Sequence, residues 1–139
     1  MLKTVLAACA LLLAPAIARA GSPADIFAGV RSIDVAMHRE FPAETCIASQ
    51  YGVGDGYHRR RAADGSIFDT YATAPYTVAH VKRPLGSFVK ITNLANGRTI
   101  RAKVTDRGPY YHARCVDLGR AGADAIGMGG LARVRVETN

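Results

Sequence analysis

Two aspartates stand at the ends of strand-like runs in the stretch VTDRGPYYHARCVDLGRAGADAIG, residues 104–127. Asp106 sits against the rigid turn Arg107-Gly108-Pro109, and Asp117 closes Arg114-Cys115-Val116. Carboxyl groups held at strand ends can give and take protons, which is what general acid/base catalysis requires. Each also has a plainer reading. Asp106 would cap the turn that follows it. Asp117 precedes Gly119 and a helix start, where its charge would complement the helix N-terminus. Metal chemistry has little support: His38, His58, His80 and His112 are scattered, with no H-x-x-x-H or C-x-x-C spacing, so no metal and no cofactor are expected.

The elements that must position these groups are short. Ser22-Pro23-Ala24-Asp25 opens a helix with an N-cap serine and proline at the first helical position. Ile26, Val30, Ile33 and Met37 form one apolar stripe, and Phe41-Pro42 ends the helix. From Cys46 the pattern turns to strands: 46–51, 77–81, 87–92, 98–105, 113–118 and 131–137. Asn96-Gly97 marks a hairpin turn. Between the last two strands, Arg120 to Met128 reads as a short helix with Ala121, Ala125 and Met128 on one side. Many short strands with turn signals and one small helix predict a closed barrel, which removes exposed sheet edges.

The first 20 residues read as a secretory signal peptide. Met1-Leu2-Lys3 is positive, Val5 to Ile17 is almost wholly apolar, and Ala18-Arg19-Ala20 supplies the small residues of a cleavage site after Ala20. The apolar run is too short to favour a spanning helix, so no stable membrane insertion is expected. Leu6-Ala7-Ala8-Cys9 resembles a lipoprotein box, but the apolar run continues past Cys9, so lipid anchoring is not expected. The domain plan is therefore signal peptide 1–20, helical segment 21–43 and barrel 44–139. Removing Lys3 and Arg19 takes the formal charge from +7 to +5. That surface favours an anionic partner, and an acidic wall polymer suits an exported chain; nothing points to nucleic acid. Cys46 and Cys115 remain after cleavage, and an even count in an exported chain predicts a disulfide, the alternative being two buried thiols.

Four segments, IASQYG, RAADGSIFD, TVAHVKRPLGSFVKITNLANGR and VTDRGPYYHARCVDLGRAGADAIG, occur in this order over about residues 47–136. Together they resemble the rare lipoprotein A (RlpA) family of septal-ring lytic transglycosylases. The resemblance implies a mainly β fold: a six-stranded double-psi β-barrel with one short helix, here preceded by the N-terminal helical segment. It implies a periplasmic protein acting on peptidoglycan, cleaving the MurNAc–GlcNAc bonds of denuded glycan strands, which lack stem peptides, to leave 1,6-anhydro ends. It casts Asp106 of the D-R-G-P motif as the catalytic acid/base. The family's second acid, a glutamate, is replaced by Ser66, so Asp64 and Asp69 in the same segment become candidates to stand in for it. It places His80 beside the cleft. Read from the residues themselves, Tyr51, Tyr57 and Tyr110 could stack on sugars, Arg61 in the run Arg59-Arg60-Arg61 could bind peptidoglycan carboxylates, and Arg107 and Asp117 are further candidate substrate contacts. The chain is expected to act as a monomer. The missing glutamate leaves a second reading open, a non-catalytic wall-binding module like the expansins.

Overall fold

The computed structural model describes residues 40–139; the expected signal peptide, Cys9 and the expected helix carrying Ile26, Val30, Ile33 and Met37 lie outside them. Six strands form a closed barrel: β1 (Glu44–Tyr51), β2 (Tyr76–His80), β3 (Phe88–Asn93), β4 (Thr99–Asp106), β5 (Arg114–Gly119) and β6 (Leu131–Thr138). Among the described residues a helix, α1 (Arg120–Ala125), joins β5 to β6. Going round the barrel the order is β1-β5-β2-β4-β3-β6. Each strand predicted from the sequence is present, its ends shifted by a residue or two.

Period-2 alternation builds the core. On β4, Ile100, Ala102 and Val104 point inward while Thr99 and Arg101 face out; on β6, Val134 and Val136 alternate with Arg133 and Arg135. Val78, Val89, Ile91, Val116 and Leu118 complete the interior, and α1 closes one end with Ala123, followed by Ile126 and Met128. Removing that apolar surface from water stabilises the fold by roughly 1.5–3 kcal/mol per large side chain. The N-terminus of α1 has no cap from its own flanking residue. Thr70 supplies one instead: its Oγ1 accepts from Arg120 N at 2.7 Å and its carbonyl from Ala121 N at 2.9 Å.

Two pairings are parallel, β1 with β5 and β2 with β4, and each carries one register shift. Along β2, Val78 pairs with Val104 but Ala79 pairs with Asp106, so Thr105 is an extra residue. Along β1, Ile47 pairs with Arg114 but Ala48 pairs with Val116, so Cys115 is an extra residue. Side chains alternate faces along a strand, so one extra residue flips everything after it. These bulges lie just before Asp106 and Asp117.

Cys46 and Cys115 form a disulfide with Cα atoms 5.9 Å apart, a separation that bridges without backbone movement. It ties the bulge residue of β5 to β1. The bridge closes a sequence separation of 69 residues, which the chain-entropy model values at about 4 kcal/mol. The double variant Cys46→Ser/Cys115→Ser should lose about 2–4 kcal/mol in urea unfolding at an unchanged denaturant slope. A midpoint equal to that of the oxidised wild type would contradict this.

Candidate active site

The two bulges bring the two aspartates together. Ala79 of β2 is the register partner of Asp106 on one side and of Asp117 on the other. Their backbones are thus two strand spacings apart, roughly 9–10 Å. Both side chains line one groove of about 450 Å³, and Ala79 also lines it. A larger residue than alanine there would fill the space between them.

Each carboxylate is anchored by one oxygen. Asp106 Oδ1 accepts from Arg107 N at 2.8 Å and from Ala63 N at 3.0 Å. Asp117 Oδ1 accepts from the hydroxyl of Ser49, its register partner on β1. Burial pushes the Asp117 carboxyl above the usual aspartate range, and the negative charges of Asp55 and Asp106 push the same way, against the Ser49 hydrogen bond and the Arg114 charge. Asp117 does not cap the helix: the N-cap of α1 is Gly119, with no side-chain cap.

Tyr51 joins the acids from the end of β1. Its ring stacks on Phe68 at 4.2 Å between centroids, so Phe68 covers one of its faces. Its hydroxyl is buried and has no hydrogen-bond partner among the described residues. Burial, and then the fields of Asp106, Asp117, Asp55 and Asp64, hold that hydroxyl protonated beyond the ordinary tyrosine range. Gly52 makes the turn after it possible. With φ +90°, any Cβ there would sit 2.5 Å from the Phe68 ring and 2.7 Å from Thr70 Cβ. Asp55 follows in the same loop and accepts from Gly52 N at 2.7 Å and Tyr57 N at 3.0 Å. Tyr57 and Tyr110 also line the groove, Tyr110 with 79% of its surface exposed.

Several sequence candidates stand elsewhere. Ser66, Asp64, Asp69, Arg61 and His80 are not among the groove-lining residues. Ser66 donates to Asp64 through its hydroxyl at 2.6 Å and its backbone N–H at 2.9 Å. Desolvation raises the Asp64 carboxyl, but the Ser66 bonds and the Lys103 charge together outweigh it and hold the group below the usual range. This turn still touches the groove indirectly, since Ala63 N holds Asp106 and Asp64 N donates to Thr105 O at 3.0 Å. Asp69 accepts from Tyr71 N at 2.9 Å and lies 3.7 Å from His58 Nδ1. Arg61 donates Nη1 to Gly65 O at 2.5 Å. Arg107 lines the groove, but its Nη1 is used by the protein, donating to His80 O at 2.9 Å and Arg83 O at 2.8 Å.

His80 is the largest departure from the expected convergence on the groove. It is 1% exposed and sealed between strands. Its Nδ1 accepts from Lys82 N at 3.1 Å and Arg83 N at 3.2 Å, which fixes the neutral ring with its proton on Nε2, 3.0 Å from Glu44 Oε1. Its carbonyl and that of Arg83 hold Arg107, the residue after Asp106. His80 therefore braces the acid's loop from behind. Glu44, His80 and Cys115 place potential ligand atoms within 4.8 Å of one another. They do not fit a metal ion, because Cys115 is in the disulfide and both His80 nitrogens are committed.

Sequence reading missed Ser49, Asp55, Tyr111 and Arg114, all of which line the groove. Asp55 had a local signal, an aspartate in a glycine-rich turn. Ser49 and Arg114 had none, because their place depends on a parallel pairing between segments far apart in the chain.

Residues 43–138 match the sequence model of a family described as lytic transglycolase. The endolytic peptidoglycan transglycosylase RlpA of Pseudomonas aeruginosa is 42% identical over 92 residues, covering 65% of this chain and 26% of that protein. RlpA of Yersinia pestis is 40% identical over 91 residues, covering 66% of this chain and 24% of that one. The chain thus spans about a quarter of the length of these curated relatives. Among solved structures, an apo expansin from Clavibacter michiganensis superposes with a TM-score of 0.53 at 19% identity, over 70% of this chain and 50% of that one. The Streptomyces papain inhibitor gives 0.51 at 23% identity, over 68% and 92%. These two likenesses concern the fold.

His80 makes stability depend on pH. Burial pulls its pKa below the ordinary 6.5; Glu44 opposes that, and the charges of Arg83 and Arg107 add to it. The folded state therefore binds this proton less readily than the unfolded chain. Its stabilising contribution is complete above about pH 6.5 and is lost as pH falls below that value. The melting temperature should drop between pH 7.5 and 5 in wild type. In His80→Asn, whose amide can accept the same backbone N–H groups but does not titrate, the slope should be markedly smaller. An equal slope in both would contradict the assignment.

Proposed function

Because this chain belongs to the lytic transglycolase family, we propose that the groove over Ala79 cleaves peptidoglycan glycan strands between MurNAc and GlcNAc, leaving 1,6-anhydro ends. The observation that carries this reading is the pair of carboxylates flanking Ala79 in one groove. An intramolecular transglycosylation needs no held water. The bond from MurNAc C1 to the leaving oxygen breaks, a bond from C1 to the same sugar's O6 forms, one proton goes to the leaving oxygen and one leaves O6. Two carboxyl groups whose surroundings differ can divide that work. Asp117, which keeps its proton to higher pH than an ordinary aspartate, supplies the first proton. Asp106, anchored through Oδ1, takes the second, and exchange with solvent restores both. In this reading Asp117, which the sequence offered as a substrate contact, shares the proton chemistry. Tyr57 and Tyr110 offer faces to the sugars, and the exported, periplasmic location follows from the substrate.

The second reading, an expansin-like wall-binding module, is favoured by one observation. Ser66 stands where the family glutamate is expected and carries no carboxylate, and Asp64 beside it is committed to the Ser66 turn. Asp69 likewise serves the Tyr71 turn. Product analysis separates the two readings. Incubating the mature protein with glycan strands stripped of peptides should release 1,6-anhydro fragments visible by mass spectrometry. Asp106→Asn and Asp117→Asn should each lower the rate by about 10²-fold or more while remaining folded by circular dichroism. Tight binding of the strands by wild type with no anhydro product would favour the binding module.

A further inference from the structure

The outer faces of β3, β4 and β6 carry charge of one sign. Alternation puts Lys90 on β3, Arg101 and Lys103 on β4, and Arg133 and Arg135 on β6 outside the barrel, opposite core residues such as Val89, Ala102 and Val134. The three strands are neighbours in the order β4-β3-β6, and Lys90 is in register with Arg101 on one side and Glu137 on the other. Glu137 is the one acid of this face, 2.9 Å from Lys90 and 3.2 Å from Arg135. Arg101 lies over the Phe88 ring, 3.5 Å from its centroid. Neither it nor Lys103 nor Arg133 is in a salt bridge among the described residues. Lys103 stands at the edge, where its charge helps to keep Asp64 ionised. The remaining described residues hold nine Lys or Arg and eight Asp or Glu, so this face supplies most of their net positive charge.

We propose that this face is an electrostatic docking surface for an anionic phospholipid membrane. Side chains in register on neighbouring strands stand about 4.8 Å apart, and those two residues apart on one strand about 6.7 Å. Such an array, spread over three strands, suits a plane of headgroup phosphates better than one enclosed ligand. Among the large apolar side chains of these strands only Leu131 is exposed, so the attraction is by charge and the protein rests on the surface without inserting. Position selects the membrane over the wall polymer. β6 is three strands from β2, the strand of Ala79, in either direction round the barrel, and no residue of β3 or β6 is among those lining the groove. A protein resting on this face turns its groove away from the membrane and toward the wall. Held by the same face on the wall polymer, it would turn the groove away from that polymer. This orientation argument rests on the glycan-cleaving reading; the attraction to lipid does not.

The test is co-sedimentation of the mature protein with phosphatidylcholine vesicles that contain or lack phosphatidylglycerol. Wild type should bind only the anionic vesicles, and salt at about 0.5 M should release it. Each Lys or Arg near an anionic surface strengthens binding roughly fivefold, so Arg101→Gln/Lys103→Gln/Arg133→Gln should weaken it by about 10²-fold and Arg133→Gln alone by about fivefold. Removing three charges elsewhere, in Arg59→Gln/Arg60→Gln/Arg61→Gln, should weaken it much less. Circular dichroism checks that each variant is folded. Failure of wild type to bind the anionic vesicles would overturn the proposal. Equal losses in the two triple variants would overturn it as well, since net charge and not this face would then be responsible. Binding that survives in the folded face variant would place the contact on other residues and has the same consequence. If wild type ignores the vesicles but binds purified sacculi, and the face variant does not, the wall polymer is the occupant and the membrane proposal falls. No glycan is present with the vesicles, so their result leaves the transglycosylase reading to its own test.

Discussion

A strand that gains one residue relative to its partner reverses the facing of every side chain beyond that point. This barrel does so twice, at Thr105 on β4 and Cys115 on β5, each time in a parallel pairing, one residue before Asp106 and two before Asp117. Without the first bulge, Ala79 would pair with Thr105 and the Asp106 side chain would face away from the groove. Without the second, Ser49 would not meet Asp117. The rest of the structure serves these two offsets. The apolar interior fixes the alternation on either side of them, and the disulfide ties the extra residue of β5 to β1.

Cations do much of the bracing behind the acids. Arg83 is 2% exposed and donates to the carbonyls of Phe41, Pro42 and Val136 and to the Thr138 hydroxyl, so it joins the start of β1 to the end of β6. It also stands 3.7 Å from Glu44, which in turn faces His80. A buried arginine is tolerable because these partners take up four of its N–H directions; only Nε finds none among the described residues. His80, Arg83 and Arg107 then form one hydrogen-bonded unit that ends at the peptide beside Asp106. Loosening this unit would shift the peptide that carries Asp106.

Much of this was legible in the sequence because it is encoded locally. Alternation gave the six strands, Asn96-Gly97 the turn between β3 and β4, the even cysteine count the disulfide, and strand-end position the two aspartates. What was not legible depends on which distant strands lie side by side. The bulges are visible only once β1 is set against β5 and β2 against β4. The family resemblance placed His80 beside the cleft, yet adjacent residues on a strand face opposite sides; Ala79 lines the groove and His80 points into the Glu44 pocket. Ser66 stands near Asp106 only through Ala63, whose N–H makes the contact a side chain was expected to make.

The central claim is that Asp106 and Asp117 share one groove closely enough to feel each other's charge. Titration of the aspartate carboxyl carbons by NMR, in wild type and in Asp106→Asn, measures this directly. In wild type Asp117 should titrate above the ordinary aspartate range, as its burial and the neighbouring charges require. Replacing Asp106 with neutral Asn removes one of those charges and should move the Asp117 titration downward. An Asp117 that titrates like a solvent-exposed aspartate, or one whose titration is the same in both proteins, would contradict the account.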